Sequence, residues 1–155
     1  QVLTSTGAGS APAFEALPSS GKILQVLSQV VTTKFATTSS SYTDTGITLA
    51  ITPAATSSKI LVQMQGMFGT GEGGANNFFQ VLRGSTQLGE DVSIMQDAVT
   101  QNFIRTIVFL DSPSTTSAVT YKVQMKVGSN EGFMNRDNSD NQLGFSTITL
   151  SEVGA

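Results

Sequence analysis

The side chains that most often do chemistry are missing from this chain. Among its 155 residues there is no His and no Cys. Without His it lacks the usual general base near neutral pH and the usual zinc or copper ligand. Without Cys it has no disulfide framework, no thiolate nucleophile and no thiolate zinc site. Serines are plentiful but nothing stands ready to activate them. Ser58 precedes Lys59, yet neighbours on a strand point to opposite faces, so this pair does not work as nucleophile and base. A glycosidase needs two carboxylates about 5–10 Å apart across a cleft. Asp44, Glu72, Glu90, Asp91, Asp97, Glu131, Asp137 and Asp140 all fall in predicted loops or strand ends, and no two of them stand out as a pair. The expectation is a chain with no catalytic centre, no cofactor and no transition metal.

Two polar segments carry the remaining chemistry. Residues 69–74, GTGEGG, satisfy the G-x-G-x-x-G pattern, and Asp91 lies about 20 residues on. A dinucleotide site also needs a helix opening at the last glycine. Here Ala75, Asn76 and Asn77 lead into Phe78 and Phe79, which is a strand pattern, and Glu72 places a negative charge where a pyrophosphate belongs. The segment reads as an inter-strand loop. The second segment, Asn135–Asn141, is rich in oxygen ligands. Counted from Asp137, the sixth and twelfth positions are Gln142 and Ile148, not the Gly and Glu of a helix–loop–helix calcium site. Its better use is surface recognition. Asn130, Glu131, Asn135, Arg136, Asp137, Asn138, Asp140 and Asn141 offer donors and acceptors matched to sugar hydroxyls. Phe133 offers an apolar face for a pyranose ring. If the chain touches a receptor, residues 130–141 are the expected contact, with a cell-surface glycan as ligand. The loop at 69–77, with Glu72, Asn76 and Asn77, is a second candidate.

The elements that must hold these loops are strands. Thr (20), Ser (19), Gly (15) and Gln (11) dominate, and only 12% of residues are charged, about half the usual share. The segment 120–127, TYKVQMKV, alternates most cleanly, with Tyr121, Val123, Met125 and Val127 inward. Residues 59–68 place Ile60, Val62, Met64 and Phe68 on one face. Further strands are expected at 22–35, 47–53, 76–84, 103–110 and 142–153. Residues 89–101 are ambiguous, because Val92, Met95 and Val99 also sit at helical spacing. Residues 1–21 are rich in Gly, Ser, Ala and Pro and read as a linker or extended lead-in; residues 22–155 read as the folded domain. The first residue, Gln1, suggests a cut within a longer polypeptide. The expected fold is all-β: an antiparallel β-sandwich of jelly-roll or barrel type. A chain of this length buries about 70% of its unfolded surface. The net charge of −3 argues against a nucleic-acid partner. The longest apolar run, Ile107–Leu110, is far below the roughly 20 residues of a membrane helix, so no membrane insertion is expected. No Asn-x-Ser/Thr acceptor occurs despite 39 Ser and Thr residues, which gives no support for a glycosylated ectodomain.

The lead-in QVLTSTGAGSAPAFEAL resembles a recurrent phage tail-fibre segment that precedes or links fibre domains. Residues 42–66, YTDTGITLAITPAATSSKILVQMQG, resemble C-terminal head domains of phage tail or appendage proteins, as do the segments TYKVQMKVGSN and FMNRDNSDNQLGFSTITLSEVGA. The order of elements is similar to the trimeric jelly roll of the tumour necrosis factor and complement-head superfamily, although the aromatic and Gly-rich signatures of its cellular members are lacking. The resemblance implies a virion-surface protein, a fibre or appendage head in host attachment, working with other virion proteins. Capsid decoration and surface-glycan hydrolysis are the alternatives. It also implies a homotrimer. The strands point the same way, since Ile60 with Leu61, Phe78 with Phe79 and Phe109 with Leu110 put apolar side chains on both faces, and a strand with one wet face would alternate.

Overall fold

The computed structural model describes residues 2–4, 13–15, 21–71, 76–95 and 102–154. Twelve strands run in chain order: β1 (Val2–Thr4), β2 (Ala13–Glu15), β3 (Ile23–Val31), β4 (Phe35–Thr37), β5 (Thr43–Ile51), β6 (Lys59–Thr70), β7 (Asn76–Arg83), β8 (Thr86–Met95), β9 (Asn102–Asp111), β10 (Val119–Val127), β11 (Gly132–Met134) and β12 (Ser146–Val153). No helix occurs among the described residues. Within residues 1–21, β1 and β2 pair with each other as an antiparallel ribbon.

Two antiparallel sheets form the domain. One has the order β5-β10-β7-β8. In the other, β9 borders β6 along one side, while β12 and then β11 border its other side, and β3 and β4 lie beyond them. With the eight long strands counted in sequence, the orders are 1-8-3-6 and 2-7-4-5. That is a jelly-roll sandwich, as the sequence predicts. Period-2 patterning decides which side chains meet between the sheets. Ile60, Val62, Met64 and Phe68 of β6, with Ile148 and Leu150 of β12, face Ile47, Phe79, Val81, Tyr121, Val123 and Met125 of the second sheet, and all are buried. Phe68 and Phe79 meet across the layer with ring centroids 4.2 Å apart.

Three segments depart from the sequence reading. The run 22–35 is not one strand: it breaks at residues 32–34. Residues 132–134, expected in a loop, form β11 between β4 and β6. The ambiguous segment 89–101 is strand through Met95, because β7 pairs with it as far as Asn76↔Met95; residues 96–101 lie outside the described residues.

One buried carboxylate ties the chain ends of this layer together. Glu152 on β12 is fully buried. Its oxygens accept hydrogen bonds from Gln25 Nε2 (2.6 Å) and the Ala54 N–H (2.7 Å). Burial alone raises its pKa, but the Ser58 hydroxyl beside it, Gln25 and the Ala54 amide outweigh that and hold it below its ordinary 4.5. A depressed folded-state pKa stabilises the fold above about pH 4.5, and the contribution is lost as pH falls through the folded value. Glu152→Gln is therefore expected to cost about 2 kcal/mol at neutral pH. Melting curves from about pH 7 to about pH 3 should show a flatter acid limb for the variant than for the parent chain. An acid limb identical in the two would count against this assignment.

Candidate functional site

The expected contact loop is an excursion from a strand. β11 and β12 follow one path along β6, and residues 135–145 leave that path and return to it. On the neighbouring path, β3 and β4 break at the same level. A gap of this kind leaves ladder groups without partners. Asn135 fills it. The residue is fully buried, with φ at 58°. Its Nδ2 donates to the carbonyls of Val31 (2.9 Å) and Thr33 (3.2 Å), and its Oδ1 accepts from Ser146 Oγ (2.8 Å). Its own N–H donates to Met67 O.

Beyond that staple the loop is internally bonded. Asp137 Oδ1 accepts from the N–H groups of Ser139 (2.9 Å) and Asn141 (2.8 Å), and Asn141 Nδ2 donates to Asp137 Oδ2. These bonds, from the Asn141 side chain first, hold the Asp137 carboxyl below the usual carboxylate range. Asp140 is lowered likewise, chiefly by Lys34, whose Nζ lies 2.9 Å from it. Arg136 has its side chain 8% exposed, with Nη2 on Glu131 and Nη1 3.5 Å from Asp140. Its guanidinium lies over the Phe133 ring, 4.6 Å from the centroid.

The nine expected contact residues thus divide. Phe133 and Asn135 are fully buried, which corrects their expected role. Phe133 plugs the sandwich end: its ring would lie 2.4 Å from a Cβ at Gly69, so that glycine serves close packing. Asn135 spends its amide on the backbone. Arg136 is buried beneath Glu131 and acts on that carboxylate rather than on solvent. Asn130, Asn138, Asp140 and Asn141 are exposed, and Glu131 and Asp137 are partly so. In the second candidate loop, Asn77 is buried with Nδ2 on Gly69 O, and Glu72 lies outside the described residues.

The sequence gives no local signal for what else reaches this end. Thr38, after β4, and Gly71, after β6, join Asn130, Glu131 and Asn138 around one open depression of about 470 Å³. Lys34 and Asp140 border a second one that shares Glu131. The loop's exposed apolar residues are Leu143 (42%) and Phe145 (55%). Their odd numbering matches the outward positions of β12, and that was the available clue.

The two outer sheet faces differ in chemistry. On the β5-β10-β7-β8 sheet, Lys122 and Asp44 pair at 2.9 Å, and Gln124 bridges Asp44 to Gln80. On the other sheet, cross-strand rows read Val26, Ser151, Leu61, Leu110; then Ser28, Thr149, Gln63, Val108; then Val30, Thr147, Gln65, Thr106. Those rows hold no charge; Lys59 stands at the end of the face. Val26, Val30, Ile104, Val108 and Leu110 are each at least half exposed.

Fold and site together define a jelly-roll β-sandwich with a polar loop end and one outer face whose central rows carry no charge. No family model matches the chain, and no curated protein matches it. Among solved structures, it is similar to one from infectious bursal disease virus, Gt strain, at TM-score 0.47 and 11% identity, over 100% of this chain and 47% of that one. It is also similar to the VP2 subviral particle of infectious bursal disease virus, at TM-score 0.44 and 8% identity, over 99% of this chain and 37% of that one. The chain spans less than half the length of either.

Proposed function

We propose that this chain is a virion structural protein, the head of a phage fibre or appendage, which assembles as a homotrimer through its charge-poor sheet face and contacts the host through its loop end. The observation that carries the proposal is the contrast between the two outer faces. A solvated sheet face is expected to carry mixed charge. One face does, with Lys122, Lys126 and Asp44. The β3-β12-β6-β9 face instead presents exposed Val, Leu and Ile among Ser, Thr and Gln, a composition suited to burial against a second copy. The resemblance to the trimeric jelly roll supports three-fold closure, in which one part of this face on each chain meets a different part on the next.

Attachment, rather than catalysis, fits the loop end. Glu131 and Asp140 are charge-paired with Arg136 and Lys34, and among the described residues no nucleophile with an activating base accompanies them. The assembled domain, added in excess, is expected to block adsorption of particles that carry this protein. Undiminished adsorption in the presence of folded, assembled domain would count against attachment and favour capsid decoration.

A further inference from the structure

Resting on the attachment reading, we propose that the depression bounded by Thr38, Gly71, Asn130, Glu131 and Asn138 is the ligand site, and that it takes a neutral sugar rather than an acidic one. The depression is open to solvent, with a volume of about 470 Å³, so a ligand would rest against its polar rim rather than be enclosed. Three observations fit it to a polyol.

The first is a carboxylate fixed from below. The Glu131 side chain is 41% exposed, and the Arg136 guanidinium that pairs with it is nearly buried, between that carboxylate and the Phe133 ring. The carbonyl of Glu131 is also held, accepting from the Gly71 N–H at 2.9 Å. Such a carboxylate loses little freedom when it accepts two hydroxyl donors from adjacent sugar carbons.

The second is a pair of amides beside it. Asn130 is exposed with φ at 60°. Asn138 is exposed too, and its Oδ1 lies 3.2 Å from where a Cβ at Gly71 would sit. The bare glycine keeps the floor open, and a larger residue there would press on the Asn138 amide. Amides donate and accept together, as sugar hydroxyls do.

The third is charge. The cations bordering this end, Lys34 and Arg136, are committed to Asp140 and Glu131. Among the described residues no unpaired cation borders this depression, so a sialic or uronic acid would bring its own carboxylate up to Glu131 without a free counter-charge, and like charges in a partly desolvated site repel.

Saturation-transfer NMR on the assembled domain, with neutral hexose oligosaccharides and with sialylated or uronic acid oligosaccharides at matched concentration, tests the assignment. Neutral sugars are expected to give the stronger signals. Asn138→Ala leaves the Arg136–Glu131 pair in place and is expected to weaken neutral-sugar binding about tenfold. Glu131→Gln is expected to weaken it also and to narrow the gap to acidic sugars. Acidic sugars binding as well as neutral ones, or both variants binding like the parent with circular dichroism unchanged, would overturn the proposal. Absence of binding to every sugar would overturn it as well. If the domain then still blocked adsorption, the attachment reading would stand without it; if adsorption were also unaffected, both would fall.

Discussion

Asp111→Ala is expected to destabilise the domain by about 4 kcal/mol, lowering Tm by roughly 8–16 °C for a chain of this size. Asp111 ends β9 in one sheet and reaches groups on the other. Arg83 Nη1 lies 2.9 and 2.8 Å from its two oxygens, and the Tyr121 hydroxyl donates to Oδ2 at 2.6 Å. The Asp111 side chain is only 10% exposed and that of Arg83 only 26%. Removing the carboxylate leaves a mostly buried guanidinium and a phenol without their acceptor, and such orphans cost more than the pair itself contributes. The double change Asp111→Ala with Arg83→Met should therefore recover part of the loss. The alkaline limb offers a second check. Burial, and then the Asp111 carboxylate, push the Tyr121 phenol well above its ordinary 10. A folded pKa raised in this way gives stability that is complete below about pH 10 and falls as pH rises beyond it. Tyr121→Phe should flatten that fall. Chemical denaturation at neutral and alkaline pH measures both, and an Asp111→Ala loss below about 1 kcal/mol would remove the inter-sheet tie from this account.

Val108→Lys is expected to abolish assembly while leaving the single chain folded. Val108 is 54% exposed in the chain, so lysine meets little resistance there, and the fold should change by no more than about 0.5 kcal/mol. In the assembly each chain would bury one ammonium without a partner, at several kcal/mol apiece. Dissociation should rise by at least about a thousandfold. Ala50→Lys, at an exposed position on the outer face of the other sheet, is the control and should leave the mass unchanged. Equal effects of the two would mean that assembly does not use the face with Val108.

The sandwich was legible where alternation runs for several residues. Tyr121, Val123, Met125 and Val127 are all buried as their spacing predicts, and so are Ile60, Val62, Met64 and Phe68. Short or interrupted elements were not. β11 is three residues long and buries Phe133 and Met134 in succession, so it has no period to read, and its Asn- and Asp-rich neighbours disguise it as loop. The break in the 22–35 run depends on Asn135, about a hundred residues away in sequence. For the candidate site, the sequence supplied the residue types but not their directions. Phe133 looked like a platform because it is the aromatic of that loop, yet packing against Gly69 takes it inside. Thr38 and Gly71 come from other loops, and their meeting with Asn138 is a product of topology. The charge-poor outer face was half visible: apolar residues on both sides of β6 and β9 signalled a second burial, but only the cross-strand register gathers Val26, Leu61, Val108 and Leu110 into one surface.

The most direct test of the trimeric-head account is the mass of the purified chain by light scattering at micromolar concentration. The account predicts three times the 16.2 kDa of one chain, holding on dilution and collapsing to a single chain in Val108→Lys. A mass of one chain for the folded parent protein would contradict it.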